Sequence, residues 1–187
     1  MKGNDMKATG IVRRIDDLGR VVIPKEIRRT MRIREGDPLE IFTDREGEVI
    51  FKKYSPIGEL ASFAAQYAET LHKTCGMALV ITDRDAVIAS AGVPKKEYAD
   101  RKVTPEFESI MEERSFYNAC DHEGDEIRVT DMADGKVSCA MPIITEGDIT
   151  GAVASVTSAD SKYACVGDIE EKLITTAAIF LGKQLES

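Results

Sequence analysis

The chain has 187 residues, 43% of them hydrophobic and 31% charged, with a formal net charge of −8. With a mean hydropathy of −0.21, this is ordinary globular composition, enough for one domain or two modest ones. No apolar run approaches the ~18–20 residues of a membrane span, and MKGNDMKATG lacks the apolar core of a secretory signal; a cytoplasmic protein with no membrane partner is expected.

Charge is unevenly placed. Residues 1–53 hold 13 Lys and Arg against 10 Asp and Glu, net +3, whereas residues 54–187 hold 12 against 23, net −11. Within Lys7–Arg34 the count is 9 against 3. A small basic module joined to a larger acidic one points to an anionic partner for the first alone. Four cysteines (Cys75, Cys120, Cys139 and Cys165) show no C-x-x-C and no neighbouring histidine pair. They read as reduced thiols, with no metal and no cofactor expected from them.

Thr9–Ile15 is β-branched and ends at Asp16-Asp17-Leu18-Gly19, where glycine permits a tight turn. Arg20–Ile23 returns as a second strand, and Pro24 opens a brief helix to Met31. Gly36-Asp37-Pro38 is a turn; Leu39–Thr43 and Val49–Tyr54 read as strands around a loop with Gly47. So small a segment cannot bury enough surface alone, so it is expected to dimerise.

Ser55-Pro56 is an N-cap followed by proline at the first helical position. Ile57, Leu60, Ala64, Tyr67 and Leu71 then recur at helical spacing up to Gly76. Met77–Thr82 and Ala86–Ser90 read as strands about an Asp83-Arg84-Asp85 turn. Lys95–Tyr117 is mixed and partly helical, and Asp121–Asp131 gives no clear element. Ser138–Thr145 and Thr150–Thr157 form a hairpin, with Gly151 marking a close approach. Asp168 and Glu171 have the spacing of a capping box before a helix whose stripe is Ile169, Leu173, Ala177, Phe180 and Gln184. The second segment is thus an α+β domain flanked by its first and last helices.

At about 100° per residue, Lys25, Arg28, Arg29 and Arg32 share one side of the first helix, opposite Ile23, Ile27 and Met31. Arg13, Arg14 and Arg20 flank the neighbouring turn. Such a face suits phosphates and guanine edges. The segment's aromatics, Phe42, Phe51 and Tyr54, all lie on strands, so duplex DNA is the expected partner rather than stacked single strands.

KATGIVRRIDDLGRVVIPKEIRRTMRIREGDPLEIFTD and GEVIFKKYSP resemble the AbrB-type transition-state-regulator family across Lys7–Pro56. The resemblance implies an N-terminal, β-rich, swapped-hairpin (looped-hinge) dimerisation domain over residues 7–54. It also implies DNA binding through Arg13, Arg20, Arg28 and Arg29, with Arg14 and Lys25 on the same surface. IGELASFAAQYAE, ITDRDAVIASAG and GDITGAVA resemble the C-terminal α+β GAF-like domain, here residues 57–187, found in sporulation regulators of this kind. Those regulators imply a forespore transcription factor, activator or repressor, whose GAF-like domain senses an unknown small molecule or builds a homotetramer.

Two other readings compete. Toxin antidotes use the same hairpin but end in a disordered acidic tail, and some GAF domains with cysteines reduce methionine sulfoxide. His72 reads as a surface or half-buried histidine, Cys120-Asp121-His122 as incidental neighbours, and Asp83/Asp85 and Asp121/Glu123/Asp125 as solvated acidic turns.

Overall fold

The computed structural model describes residues 8–122, 126–157 and 167–186; Lys7, Glu123, Asp125 and Cys165 lie outside them. The chain divides into two compact units, Met1–Tyr54 and Ser55–Ser187.

In the first unit, residues 8–23 are two arms joined by a turn. The Asp16 N–H donates to the Arg20 carbonyl and the Gly19 N–H to the Asp16 carbonyl, both at 3.0 Å. Gly19 sits at φ 76°, in the left-handed region. The strands expected over Thr9–Ile15 and Arg20–Ile23 do not pair within one chain: among the described residues, the N–H groups of Val12–Ile15 and Val21–Ile23 have no backbone acceptor. Most of the arms' apolar side chains are also open to solvent. Val12 is 86% exposed and Val22 71%. A two-armed ribbon with open β-branched faces is not stable by itself.

Helix α1 (Lys25–Thr30) follows Pro24, which caps it rather than occupying its first position. Its end is a correction to the expected cationic face. Arg32 lies beyond the helix at φ 51°. Its N–H donates to the Arg29 carbonyl while the Ile33 N–H donates to that of Arg28, the paired bonds of a Schellman closure. Arg32 is therefore half-buried, and its carbonyl accepts from Lys53 Nζ at 2.8 Å. Met31, expected to be inward, is exposed. Strands β1 (Leu39–Thr43) and β2 (Val49–Lys53) pair antiparallel. Asp44 Oδ1 closes their loop by accepting from the Glu46 and Glu48 N–H groups.

The second unit opens at Ser55, whose Oγ accepts from the Gly58 N–H and donates to Asp83 Oδ2. Helix α2 (Pro56–Glu59) is followed by α3 (Ala61–Cys75), which stops at Gly76 with φ 71°. Then come β3 (Leu79–Asp83), β4 (Val87–Ala91), α4 (Lys95–Tyr98), α5 (Pro105–Glu112), β5 (Tyr117–Asn118), β6 (Lys136–Thr145), β7 (Asp148–Thr157) and α6 (Asp168–Leu185). The five strands form one antiparallel sheet in the order β4-β3-β7-β6-β5. Alternation along the strands splits the core in two. Leu79, Ile81, Cys139 and Val153 pack against α2, α3 and α6, while Val80, Val87, Ala152 and Val156 pack beneath Tyr98 and Phe107 of α4 and α5.

The β6–β7 hairpin turns on two residues, Glu146 at φ 51° and Gly147 at φ 88°, which matches the twist of the strands. Gly151 on β7 faces β3 so closely that a Cβ there would lie 1.9 Å from the Thr82 carbonyl oxygen. Gly151→Ala is expected to cost about 3 kcal/mol, read as a lower urea midpoint; an unchanged midpoint would contradict this packing.

Helix α6 departs from expectation twice. Its cap is Gly167, with no side-chain capping bond, so Asp168, Glu170 and Glu171 act as first-turn negative charge instead. Its buried face is Ile174, Ala177, Ala178, Leu181 and Gly182. Of the expected stripe, Ile169 is 76% exposed and Phe180 is 38% exposed. Phe180 turns sideways to meet Phe63 and Tyr67 of α3, with ring centroids 5.9 and 5.8 Å away.

Candidate nucleic-acid interface

The first unit's cations from Arg13 to Arg34, together with Lys53, fall into two groups. Lys53 is held by the Asp37 carboxylate at 3.5 Å as well as by the Arg32 carbonyl, and Asp37 also accepts from the Arg34 N–H. These side chains brace the fold between α1 and β2, and Arg32 and Arg34 are half-buried with them.

Arg13, Arg14, Arg20, Lys25, Arg28 and Arg29 are all exposed. Arg13 and Arg14 lie on the first arm, Arg20 opens the second, and the other three follow on α1. Arg20 is the one whose aim is set by a partner: its Nε donates to Asp16 Oδ2 at 2.8 Å. Asp16 Oδ1 accepts in turn from the Leu18 and Arg20 N–H groups. The backbone and side-chain bonds from Arg20 hold the Asp16 carboxyl below its ordinary value. With the Arg20 side chain 69% exposed, this ion pair adds little stability. It does fix the direction of a guanidinium that bonds Asp16 through Nε alone. No ion pair among the described residues engages the other five. Unneutralised, exposed cations on a short stretch of backbone are suited to phosphate contact, where each releases counterions.

The other candidate groups serve structure. His72 Nδ1 lies 2.8 Å from the Met77 carbonyl, tying the end of α3 to the approach to β3. His122 stacks on Tyr117 at 5.0 Å, and the Cys120 N–H donates to Asn118 Oδ1. Asp83 Oδ1 accepts from the Asp85 and Ala86 N–H groups, an ordinary turn. Among the described residues no cluster of three or more metal-ligating side chains occurs, and no helix is long and apolar enough to cross a membrane. Cys139 is fully buried; burial first, then the Glu170 carboxylate, pushes its thiol up to about 12, the reverse of an activated nucleophile. At pH 8 iodoacetamide should therefore label exposed Cys75 at least about 100-fold faster than Cys139 in the folded protein, as followed by peptide mass mapping. Equal rates would contradict the buried placement.

A family model described as stage V sporulation protein T C-terminal, transcription factor, matches residues 59–186. Stage V sporulation protein T of Bacillus subtilis (strain 168) is 49% identical over 183 residues, covering 97% of this chain and 99% of that protein. The chain belongs to the stage V sporulation protein T family. Its first unit is 63% identical over 51 residues to the transition state regulatory protein AbrB of the same organism, covering 27% of this chain and 52% of that one. A model for the bacterial antitoxin MazE matches residues 12–58. The second unit has the GAF fold. The GAF domain of a phosphoenolpyruvate-protein phosphotransferase from Coxiella burnetii aligns with a TM-score of 0.52 at 17% identity, over 68% of this chain and 82% of that one. The chain is thus a member of a transcription-factor family, with an AbrB-type unit preceding a GAF-type unit.

Proposed function

We propose that this protein is a cytoplasmic, non-enzymatic regulator of sporulation genes in the forespore that binds double-stranded DNA through Arg13, Arg20, Arg28 and Arg29. Arg14 and Lys25 sit on the same surface and add phosphate contacts. Two chains braid their hairpin arms, covering Val12, Ile15, Val21 and Val22 and doubling the cationic set. A second two-fold contact, through Ile169, Ile179 and Phe180 that α6 leaves exposed and the half-buried Phe63 and Tyr67 of α3 beside Phe180, joins dimers into a tetramer. The GAF-type unit then couples a small molecule, or assembly itself, to promoter occupancy.

The observation that carries this reading is six exposed cations set beside apolar arms without a partner. Gel retardation with promoter DNA across a salt series tests it. Binding should weaken steeply, with a log–log slope of about −0.9 for each phosphate neutralised. Binding that is absent at low salt, or insensitive to salt, would overturn it.

The match to MazE favours a second reading, an antidote that wraps a toxin. Residues 55–187 fold around two apolar clusters rather than trailing as an acidic tail. Limited proteolysis should leave that unit as a resistant fragment; its rapid digestion would favour the antidote.

A further inference from the structure

A cleft of about 310 Å³ opens at one end of the second unit's sheet, where β4 leaves for α4 and where β6 begins beside the end of β7. Its walls are the apolar side chains of Ala78, Val93, Pro94 and Val156, and its polar side chains are those of Glu97, Tyr98, Asp134 and Thr157. Tyr98 is 1% exposed, yet its hydroxyl makes no hydrogen bond among the described residues. That hydroxyl is not one of the sealed-off polar atoms of the unit; it opens onto the cleft, where a ligand or water can bond it. Gly135 leaves that hydroxyl accessible: a Cβ there would lie 2.7 Å from it and 3.0 Å from the Thr157 carbonyl oxygen.

The charge of the cleft is one-sided. Among the described residues, Glu97 and Asp134 line it and no Lys or Arg does. No ion pair among the described residues neutralises either carboxylate. Both act on the Tyr98 hydroxyl, and with burial as the larger cause they push it up to about 12; Arg128, outside the lining, opposes them with a smaller effect. The phenol is accordingly neutral, so its oxygen accepts a hydrogen bond from a cation. Anionic ligands, nucleotides included, would meet two carboxylates with no lining cation among the described residues to offset them. A bare metal ion would face a wall that is mostly hydrocarbon.

We propose that this cleft binds a small organic amine, its ammonium held by Glu97, Asp134 and the Tyr98 hydroxyl and its carbon body laid on Val93, Pro94 and Val156. This specifies the ligand class for the sensing role proposed above and rests on that reading only for its regulatory meaning.

The test titrates the full-length protein with phenethylamine, 3-phenylpropionate and 2-phenylethanol, which share an aromatic body and differ in the charge of one end, using calorimetry and NMR shifts. Phenethylamine should bind saturably, at least tenfold tighter than either analogue. Glu97→Gln with Asp134→Asn should lose at least tenfold, and Tyr98→Phe should lose severalfold while keeping the fold. Gly135→Ala should abolish binding by filling the cleft. Equal binding of the three compounds, no saturation up to about 10 mM, or an unaffected double variant would overturn the proposal. DNA retardation measured alongside separates the two claims: intact DNA binding without an amine response sinks only this inference, and amine binding without DNA binding sinks only the DNA reading.

Discussion

Replacing both Val12 and Val22 by aspartate is expected to leave the second unit folded while destroying DNA binding and halving the mass of the assembly. The two side chains are 86% and 71% exposed in one chain, so a lone chain would tolerate the change at little cost. In a braided pair the same positions lie against the partner's arms. Four carboxylates per dimer would then enter an apolar seam, each costing several kcal/mol or forcing protonation. The total exceeds the marginal stability of a small domain. Sedimentation should show half the native mass whether the wild type is a dimer or a tetramer, since one of its interfaces is removed. Unaltered mass and unaltered DNA affinity would contradict the arrangement.

The second large effect is electrostatic. Arg20→Ala together with Arg28→Ala removes four guanidinium groups from a dimer. At about 1 kcal/mol for each solvent-exposed ion pair with phosphate, the loss is about 4 kcal/mol, on the order of 1,000-fold in affinity. The salt slope should flatten by about 0.9 for each phosphate left without its arginine. Circular dichroism should not change, because both side chains are exposed and α1 buries no residue. The pairing of Arg20 with Asp16 makes the single substitutions unequal. Asp16 pre-orients Arg20, so Asp16→Ala should also weaken DNA binding although it removes a negative charge from the face. A gain in affinity for Asp16→Ala would mean that the ion pair merely competes with phosphate.

Much of the local structure was legible because local chemistry decides it. The turn at Asp16–Gly19, the hairpin closed at Gly47, the cap at Ser55 and the helix stop at Gly76 each depend on residues within a few positions. What the sequence obscured depends on groups far away or on another chain. The arms at residues 9–15 and 20–23 have the composition of strands, but a strand needs a ladder and one chain supplies none. Arg32 fell on the helical wheel with Arg28 and Arg29, yet the helix closes before it and turns it toward Lys53. In α6 the large side chains Ile169 and Phe180 drew the stripe to the wrong side, because Ala178 and Gly182 carry the close approach to the sheet and are only weakly hydrophobic. Gly182 is tight enough that a Cβ would lie 2.6 Å from the Ile144 carbonyl oxygen.

The cationic cluster of Lys7–Arg34 was readable from charge density, and the resemblance to the AbrB-type family singled out the six; their separation from Arg32, Arg34 and Lys53 was not readable, since it follows from burial and from Asp37. The amine cleft left no trace in the sequence. Its residues come from separate stretches of the chain, and Tyr98 sits within a segment whose pattern is mixed. Only the fold brings Glu97 and Asp134 to the same mouth.

Backbone hydrogen exchange across residues 12–15 and 21–23 of the full-length protein tests the central claim most directly. If two chains interleave their arms, these N–H groups, which have no backbone acceptor among the described residues, should be protected by about 1,000-fold or more and lose that protection on dilution below the dissociation concentration. Exchange at the free-peptide rate in an assembled sample would show that the arms stay unpaired, and the shared platform for DNA would not exist.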